Sequence, residues 1–233
     1  MIYRKIATGI FIERPNRFVA KVLISGIETT VHVKNTGRCK ELLKKGAKVV
    51  LEDFIEKINN RKYRYSIIAV WRDNILINMD SSVPNKVCKE ALEGRRLLLP
   101  GMGELNRIIP EKSFGNSRFD FFMEDERGRK AFLEVKGVTL LDGEILKFPD
   151  APTERGIKHI NGLVQAKNEG FAAYIIFVIQ MSKGKYFTPN YDTHEEFGEA
   201  LKNAIEKGVI AKAYNSIVSE NSIFLNEEVQ IIL

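Results

Sequence analysis

The sequence predicts an α/β (α+β) fold in which a small β-barrel precedes a mixed β-sheet flanked by helices. Short extended segments fill the first 80 residues, and such a series is typical of a small barrel. Beyond them, amphipathic helical stripes surround a continuous apolar run at 171–179, which is typical of a strand buried on both faces. With 233 residues the chain exceeds the roughly 150 residues of an average domain. We therefore expect two domains, 1–80 and 81–233, without a clear linker between them.

The predicted strands of the first domain are short and separated by turn residues. They cover residues 17–24, 28–33, 47–54, 63–71 and 75–79. A turn is expected at Gly26, and one helical turn runs from Cys39 to Lys45 and ends at Gly46. An oligonucleotide-binding (OB) barrel is the natural candidate for this pattern. A β-module without a binding role fits it equally well.

Three helices are predicted in the second domain from apolar residues at helical spacing. Their stripes cover residues 83–92, 157–164 and 197–205. Ser82 is a plausible N-cap of the first helix, and Thr193 of the third, which Gly208 would close. With the apolar run at 171–179, these helices predict a mixed sheet covered on its faces.

A predicted hairpin in the second domain brings two carboxylates together. Its strands are 117–124 and 130–138, and Gly128 suits a left-handed position in the turn. If Asp125 faces Arg129, Asp120 lies directly across from Glu134, with β-carbons about 4.5–5.5 Å apart. Because alternate side chains of a strand share a face, Lys136 lies on the same side as Glu134.

Opposed carboxylates among apolar neighbours need positive charge. Lys136 supplies one charge, and the oxygen ligands favour Mg²⁺ or Mn²⁺ for the remainder. Such a metal polarises a phosphoryl oxygen and lowers the pKa of a bound water, which the lysine would orient or deprotonate. We therefore predict Asp120, Glu134 and Lys136 as catalytic residues for phosphodiester hydrolysis, with Asp120 and Glu134 as metal ligands. Glu90, on the preceding helix, would add a ligand or anchor a water. The alternative is a Glu134–Lys136 ion pair on a solvated face.

Composition limits the location and the partners. No segment approaches the roughly 20 apolar residues that span a bilayer, and residues 1–14 lack the apolar core of a signal peptide. We expect a cytoplasmic protein with no membrane partner. The net charge of +6 permits binding to a phosphate backbone, although a lysine-rich solvated surface explains it equally well. The two cysteines, Cys39 and Cys88, lack metal-ligand spacing.

Four separated motifs resemble those of the sugar fermentation stimulation protein A (SfsA) family. They are Asn35-Thr36-Gly37-Arg38, Ser117-Arg118-x-Asp120, Glu134-Val135-Lys136-Gly137-Val138-Thr139, and the segment from Phe148 to His159. The resemblance extends from about Gly9 to Tyr214. It implies an N-terminal OB-like domain and a C-terminal domain similar to the PD-(D/E)XK nucleases. The family is also associated with DNA binding and with regulation of sugar metabolism.

The PD-(D/E)XK pattern assigns roles to the hairpin residues by resemblance. Asp120 and Glu134 match the two acidic metal ligands, Lys136 matches the catalytic lysine, and Glu90 is a looser match to a helix glutamate. Phe119 stands where the motif has proline, a position that varies in that superfamily.

Basic residues outside the hairpin are the expected contacts with nucleic acid. They are Arg38, Arg118, Arg155, Lys158 and His159. Arg155 and Lys158 could grip a phosphate, with His159 near the scissile bond, although helix capping and a Glu154–Lys158 pair explain the same residues. Arg38 could equally be a solvated turn residue.

Three functions fit this sequence. The first is a metal-dependent nuclease acting on DNA, and the second is a DNA-binding regulator of sugar metabolism that keeps the nuclease fold without turnover. The third is an enzyme acting on a small phosphorylated or sugar substrate. Dimerisation is common among nucleases, so a homodimer is expected, although no residue indicates it.

Overall fold

Five strands of the first domain close into a barrel. The computed structural model describes residues 1–35, 37, 39–56 and 61–233. The first sheet contains β1 (Ile6–Asn16), β2 (Val19–Ile24), β3 (Ile27–Val33), β4 (Lys48–Asp53), β5 (Tyr65–Arg72) and β6 (Ile75–Asn78). Its order is β3-β2-β1-β4-β5-β6, and an additional pairing of β3 with β5 closes the ring. The predicted barrel is confirmed. It also contains β1, a strand whose bounds the sequence pattern did not predict.

Alternating side chains fill the barrel interior. In β2 the buried residues Ala20, Val22 and Ile24 alternate with more exposed ones, as expected of a strand with one face inside a barrel. Gly26 occupies the turn between β2 and β3 with φ +83°, where a side chain would be strained. Between β3 and β4, a single helical turn forms where Leu43 N–H donates to the Cys39 carbonyl.

The second domain is built on a six-stranded mixed sheet. Its strands are β7 (Leu105–Phe114), β8 (Ser117–Asp125), β9 (Lys130–Val138), β12 (Ala172–Ile179), β14 (Ile210–Val218) and β15 (Ile223–Val229), in the order β15-β14-β12-β9-β8-β7. β12 pairs in parallel with both β9 and β14 and is almost wholly buried, which confirms the prediction for the apolar run. A small sheet joins β10 (Leu140–Asp142), β11 (Ile145–Phe148) and β13 (Tyr186–Pro189).

The edge strand β7 is not apparent in the sequence pattern. Its residues lack a clear alternation of polar and apolar side chains, and Pro110 lies in the middle of the strand. Proline is tolerated in a sheet at an edge, where its missing N–H disrupts no ladder bond. The next residue, Glu111, adopts a left-handed conformation with φ +57°.

Three helices cover the two faces of the large sheet. They are α1 (Val83–Glu93), α2 (Glu154–Asn168) and α3 (Tyr191–Glu206). α1 packs against β9 and β15, whereas α2 packs against β8, β9, β12 and α3. The two sides form separate apolar clusters, one containing Leu133 and Val135 and the other containing Phe132 and Phe177.

Helix termini agree with the sequence except in α3. Ser82 precedes α1 at the N-cap position, although its hydroxyl donates to Asp80. Thr193 is not the N-cap of α3, because the helix begins after Asn190 and is interrupted at His194 (φ −159°, ψ 87°). The Thr193 hydroxyl instead accepts a hydrogen bond from Asn190. Gly208 follows the helix with φ +87°, as predicted.

Buried polar groups join the barrel to the second domain. The Gln180 amide donates to the Asn78 side chain (2.9 Å) and to the Asp80 carbonyl (3.2 Å). The fully buried Asp80 carboxylate accepts from Lys34 at 3.0 Å, which provides the cation that a buried charge requires. The proposed boundary near residue 80 therefore lies within a packed region and stays a prediction. Across the described residues, no helix has the length and apolar character needed to cross a membrane.

Candidate active site

The β8–β9 hairpin has the predicted register. Phe121 pairs with Leu133 and Glu124 with Lys130, so the same register sets Asp120 opposite Glu134. The turn is fixed by Asp125, whose N–H donates to the Arg129 carbonyl at 3.0 Å.

The two strands separate at Asp120. Strand pairing ends at Phe121, and Asp120 Oδ2 instead accepts a hydrogen bond from the Val135 main-chain N–H at 2.7 Å. Phe119 and Phe121 belong to clusters on opposite faces of the sheet, although regular pleating would place them on one face. The Asp120 side chain is therefore held at a break in the sheet rather than within a regular ladder.

Asn85 on α1 holds the second oxygen of Asp120. Its Nδ2 donates to Asp120 Oδ1 at 2.6 Å. The sequence does not predict this contact, because the spacing of apolar residues in α1 does not show which of its polar side chains will face the hairpin. Its nearest sequence signal is Asn85 itself, the single side-chain amide in α1, which lies in the first turn of the helix.

Glu134 is the most enclosed acid of the site, with only 3% of the residue exposed. Its Oε1 accepts a hydrogen bond from Lys136 Nζ at 2.6 Å and lies against His159 Nδ1. Its Oε2 is buried and has no hydrogen-bond partner among the residues that the structure describes. A buried carboxylate oxygen without a partner is costly, so this atom lacks the donor or cation that a buried charge requires.

The two carboxylates have opposite pKa shifts. Burial and the neighbouring charge of Glu134 raise the pKa of Asp120. Burial also acts to raise the pKa of Glu134, but the contacts with His159 and Lys136 outweigh it, and the pKa of Glu134 is lowered.

These residues suit a hard divalent cation in part. Asp120 and Glu134 offer carboxylate oxygens, the donor type that Mg²⁺ and Mn²⁺ prefer, and one of these oxygens is buried without a partner. The described ranges contain no group of three His, Cys, Asp or Glu side chains placed to hold a metal. The protein would therefore supply two carboxylates, and water the other positions, as is usual for Mg²⁺.

Glu90 is placed apart from the two carboxylates. Its carboxylate contacts the Met1 amine at 2.5 Å. It lies five residues beyond Asn85 on α1, which is about 7.5 Å along the axis and about 140° around it. The structure therefore brings Asn85 to Asp120 from this helix.

The predicted nucleic-acid contacts are distributed over several environments. Arg118 is exposed and paired with Glu111 at 2.8 Å. Arg155 and Lys158 are exposed on the first turns of α2, and Lys158 makes no ion pair within the described part of the chain. His159 is buried behind Glu134 rather than exposed to solvent. Arg38 lies outside the described residues.

Glu154 does not pair with Lys158. Its carboxylate lies 3.3 Å from His194 Nε2, and His194 Nδ1 accepts a hydrogen bond from Thr153 N–H at 3.2 Å. The Thr153 hydroxyl in turn accepts from Gly156 N–H and caps α2. His194 therefore holds the start of the helix that delivers His159 to Glu134.

A cleft of about 360 Å³ opens beside Asn85, between the barrel and the segment before α2. Asn35 and Gly37 line its barrel side, and Asp150 lines the opposite side. The sequence pattern predicts no chemical role for Asp150, although this residue lies within the fourth motif. Desolvation by the surrounding cleft raises the pKa of its carboxyl.

Close packing beside the cleft explains Gly137. A β-carbon at this position would lie 2.6 Å from Gln180 Oε1 and 2.7 Å from Pro84 Cγ. The residue directly after Lys136 must therefore lack a side chain for β9 to approach α1.

Comparison with known proteins identifies relatives over the whole chain. The family model described as SfsA N-terminal OB domain matches residues 12–79, and that described as Sugar fermentation stimulation protein RE domain matches residues 82–222. A sugar fermentation stimulation protein homolog from Clostridium beijerinckii is 49% identical over 235 residues, covering 100% of both chains. One from Alkaliphilus oremlandii is 45% identical over 234 residues, covering 99% of this chain and 98% of the relative.

A solved structure has the same fold. The structure of Pyrococcus furiosus SfsA in complex with Ca²⁺ matches with a TM-score of 0.88 and 27% sequence identity, covering 100% of this chain and 98% of that chain. With the family models, this match confirms the predicted fold class, an OB barrel followed by a mixed sheet flanked by helices.

Proposed function

This chain belongs to the sugar fermentation stimulation protein (SfsA) family, and from that premise we propose that it is a metal-dependent nuclease. In this proposal the protein is cytoplasmic, binds DNA and hydrolyses its phosphodiester bonds. The proposed catalytic residues are Asp120, Glu134 and Lys136, with Mg²⁺ or Mn²⁺ held by Asp120 and Glu134.

The unpartnered Glu134 Oε2 carries this proposal. A protein that used Glu134 only to neutralise Lys136 would have no reason to bury the second oxygen without a donor. Asp120 is close enough for its pKa to be raised by the Glu134 charge. A divalent cation held by the two acids would satisfy the free oxygen and reduce their repulsion.

Each residue has a distinct part in the proposed reaction. When bound, the metal supplies Lewis-acid polarisation of the phosphate and a water of lowered pKa. Asp120 and Glu134 fix its position, because Asp120 is held by Val135 and Asn85 and Glu134 by Lys136 and His159. The Lys136 ammonium provides a fixed positive charge for the negative charge that develops on the phosphoryl oxygens.

Two further observations support the proposal. The P. furiosus relative was solved in complex with Ca²⁺, a divalent cation with oxygen ligands. On this chain, Arg118, Arg155 and Lys158 are exposed and basic, and the net charge is +6. Cations of this kind bind phosphate backbones by releasing counterions.

One observation favours a second candidate, a DNA-binding regulator of sugar metabolism without turnover. Glu134 Oε1 already has two internal partners, Lys136 and His159, and the pKa of Asp120 is raised. The charge of Glu134 is therefore balanced by Lys136 without a metal.

Cleavage of labelled single- and double-stranded DNA with Mg²⁺ or Mn²⁺ separates the two candidates. The wild type is compared with Asp120→Asn and with Asp192→Asn, a matched change at an aspartate that is 91% exposed. We expect cleavage by the wild type and the Asp192 variant only, with DNA affinity retained by all three. Intact binding with no cleavage by any of them would exclude the nuclease and favour the regulator.

A further inference from the structure

We propose, on the basis of the function above, that His159 is a positioning residue that determines which oxygen of Glu134 is offered to the metal. This role differs from the nucleic-acid contact that its place beside Lys158 suggests. It is carried by three observations: the hydrogen bond to Glu134, the contact with Arg155, and burial.

The His159 ring is fixed before any ligand arrives. It is 7% exposed, and it meets the Phe119 ring edge-on with centroids 6.3 Å apart. Its helix is capped by Thr153, and the main chain at that cap is held by His194. The ring therefore has little freedom to turn away from Glu134.

Arg155 determines which ring nitrogen of His159 carries the proton in the neutral ring. Its Nε donates to His159 Nε2 at 3.4 Å, a long hydrogen bond that makes Nε2 the acceptor. In the neutral ring the proton then lies on Nδ1, which donates to Glu134 Oε1.

Two donors therefore occupy one oxygen of Glu134. His159 and Lys136 both bind Oε1, and Oε2 is the atom left without a partner in the described structure. Hydrogen bonds of this kind orient metal-binding carboxylates, and their loss typically weakens metal affinity by about 10- to 100-fold. His159 should therefore control the affinity for the metal and leave contact with the nucleic acid unaffected.

Isothermal titration with Mn²⁺ in the absence of DNA tests this role directly. His159→Leu keeps the bulk against Phe119 but removes the donor, and we expect it to weaken Mn²⁺ binding by about 10- to 100-fold. His159→Asn places an amide N–H close to the position of Nδ1, and we expect it to restore most of the affinity. In both variants DNA binding in EDTA should be unchanged, whereas the neighbouring Lys158→Ala should weaken DNA binding and leave Mn²⁺ affinity intact.

The outcomes separate this inference from the proposed function. A wild type that binds no Mn²⁺ would overturn the metal-dependent nuclease and this inference with it. Wild-type binding that persists unchanged in His159→Leu would overturn the positioning role alone. Equal losses in the Leu and Asn variants would also overturn it, because a merely structural histidine gives no rescue by a donor. Circular dichroism of each variant establishes that the fold is retained.

Discussion

Asp120 is the residue at which strand pairing gives way to side-chain hydrogen bonding. Its two oxygens accept from Val135 and Asn85, and burial and the charge of Glu134 raise its pKa. A carboxyl whose pKa is raised by folding destabilises the folded state when it is ionised. In the metal-free protein, neutralising this side chain should therefore stabilise the fold.

We accordingly expect Asp120→Asn to raise the melting temperature in EDTA by about 2–4 °C, the shift that corresponds to about 1 kcal/mol in a chain of this size. Asn85 can turn its amide to face the new side chain. Calorimetry in EDTA and in excess Mn²⁺ provides the measurement. Added Mn²⁺ should stabilise only the wild type, because a ligand stabilises the state that binds it. A variant that melts below the wild type in EDTA would contradict this account.

Much of the site could be predicted at the residue level, because the turn of a hairpin determines which residues of its two strands lie opposite each other. Pairing Asp125 with Arg129 was enough to set Asp120 opposite Glu134. The burial of His159 was also accessible, because it lies four residues before Leu163 on the apolar stripe of α2. The contact between Asn85 and Asp120 could not be predicted, because it depends on how α1 packs against the β8–β9 hairpin.

At the scale of elements, Asp125 organises the β8–β9 hairpin. Its carboxylate accepts hydrogen bonds from the N–H groups of Gly103, Arg127 and Arg129 and from Arg129 Nε. Burial acts against ionisation, but these donors outweigh it and lower the pKa of Asp125 from 3.8 to about 2. Since the folded pKa lies below the unfolded value, this stabilisation is complete above about pH 4 and is lost as the pH falls towards 2.

Urea unfolding at a series of pH values measures this effect. Asp125→Asn should be less stable than the wild type at pH 7, and the difference should shrink between about pH 4 and pH 2. The exposed neighbour Glu126 provides the control as Glu126→Gln. A constant difference across this range would show that Asp125 does not act through its charge.

His194 connects two helices. Its non-helical backbone interrupts α3, and its Nδ1 accepts a hydrogen bond from Thr153 N–H at the start of α2. We expect His194→Ala to lower the melting temperature by about 2–8 °C, because the loss of an acceptor for a partly buried N–H costs about 1–2 kcal/mol. Hydrogen exchange should accelerate in the first turn of α2 and not at its C-terminal end. Uniform acceleration would indicate a global effect instead.

At the scale of the whole molecule, the barrel and the second domain share a buried polar contact. Gln180 follows β12, lies beside Gly137 and donates to Asn78 and Asp80 at the end of the barrel. The same side chain therefore touches both the domain junction and the strand that carries Glu134 and Lys136.

Replacing Gln180 with leucine should lower the stability by about 1–3 kcal/mol, because it removes two buried hydrogen bonds that contribute about 0.5–1.5 kcal/mol each. Gln165→Leu, on the exposed side of α2, is the matched control and should have little effect. Differential scanning calorimetry gives both values. An unchanged melting temperature for Gln180→Leu would show that the two domains are coupled by apolar packing alone.

The sequence pattern could predict both domains but not their junction, because periodicity describes one element at a time. Val83, Val87 and Leu92 identify α1, yet nothing in their spacing reveals that Gln180 and Asn78 meet across 102 residues. The edge strand β7 escaped prediction for a different reason, since Pro110 is ordinarily a signal against a strand.

That proline also bears on how copies of the protein can associate. Proline has no N–H to offer a neighbouring chain, and the left-handed Glu111 beside it turns the backbone out of the flat path that an added strand would follow. These two residues disfavour the pairing of β7 with a strand of another copy, and with it aggregation through this edge of the sheet. If the expected homodimer forms, it should not do so by pairing the β7 strands of two subunits into one continuous sheet.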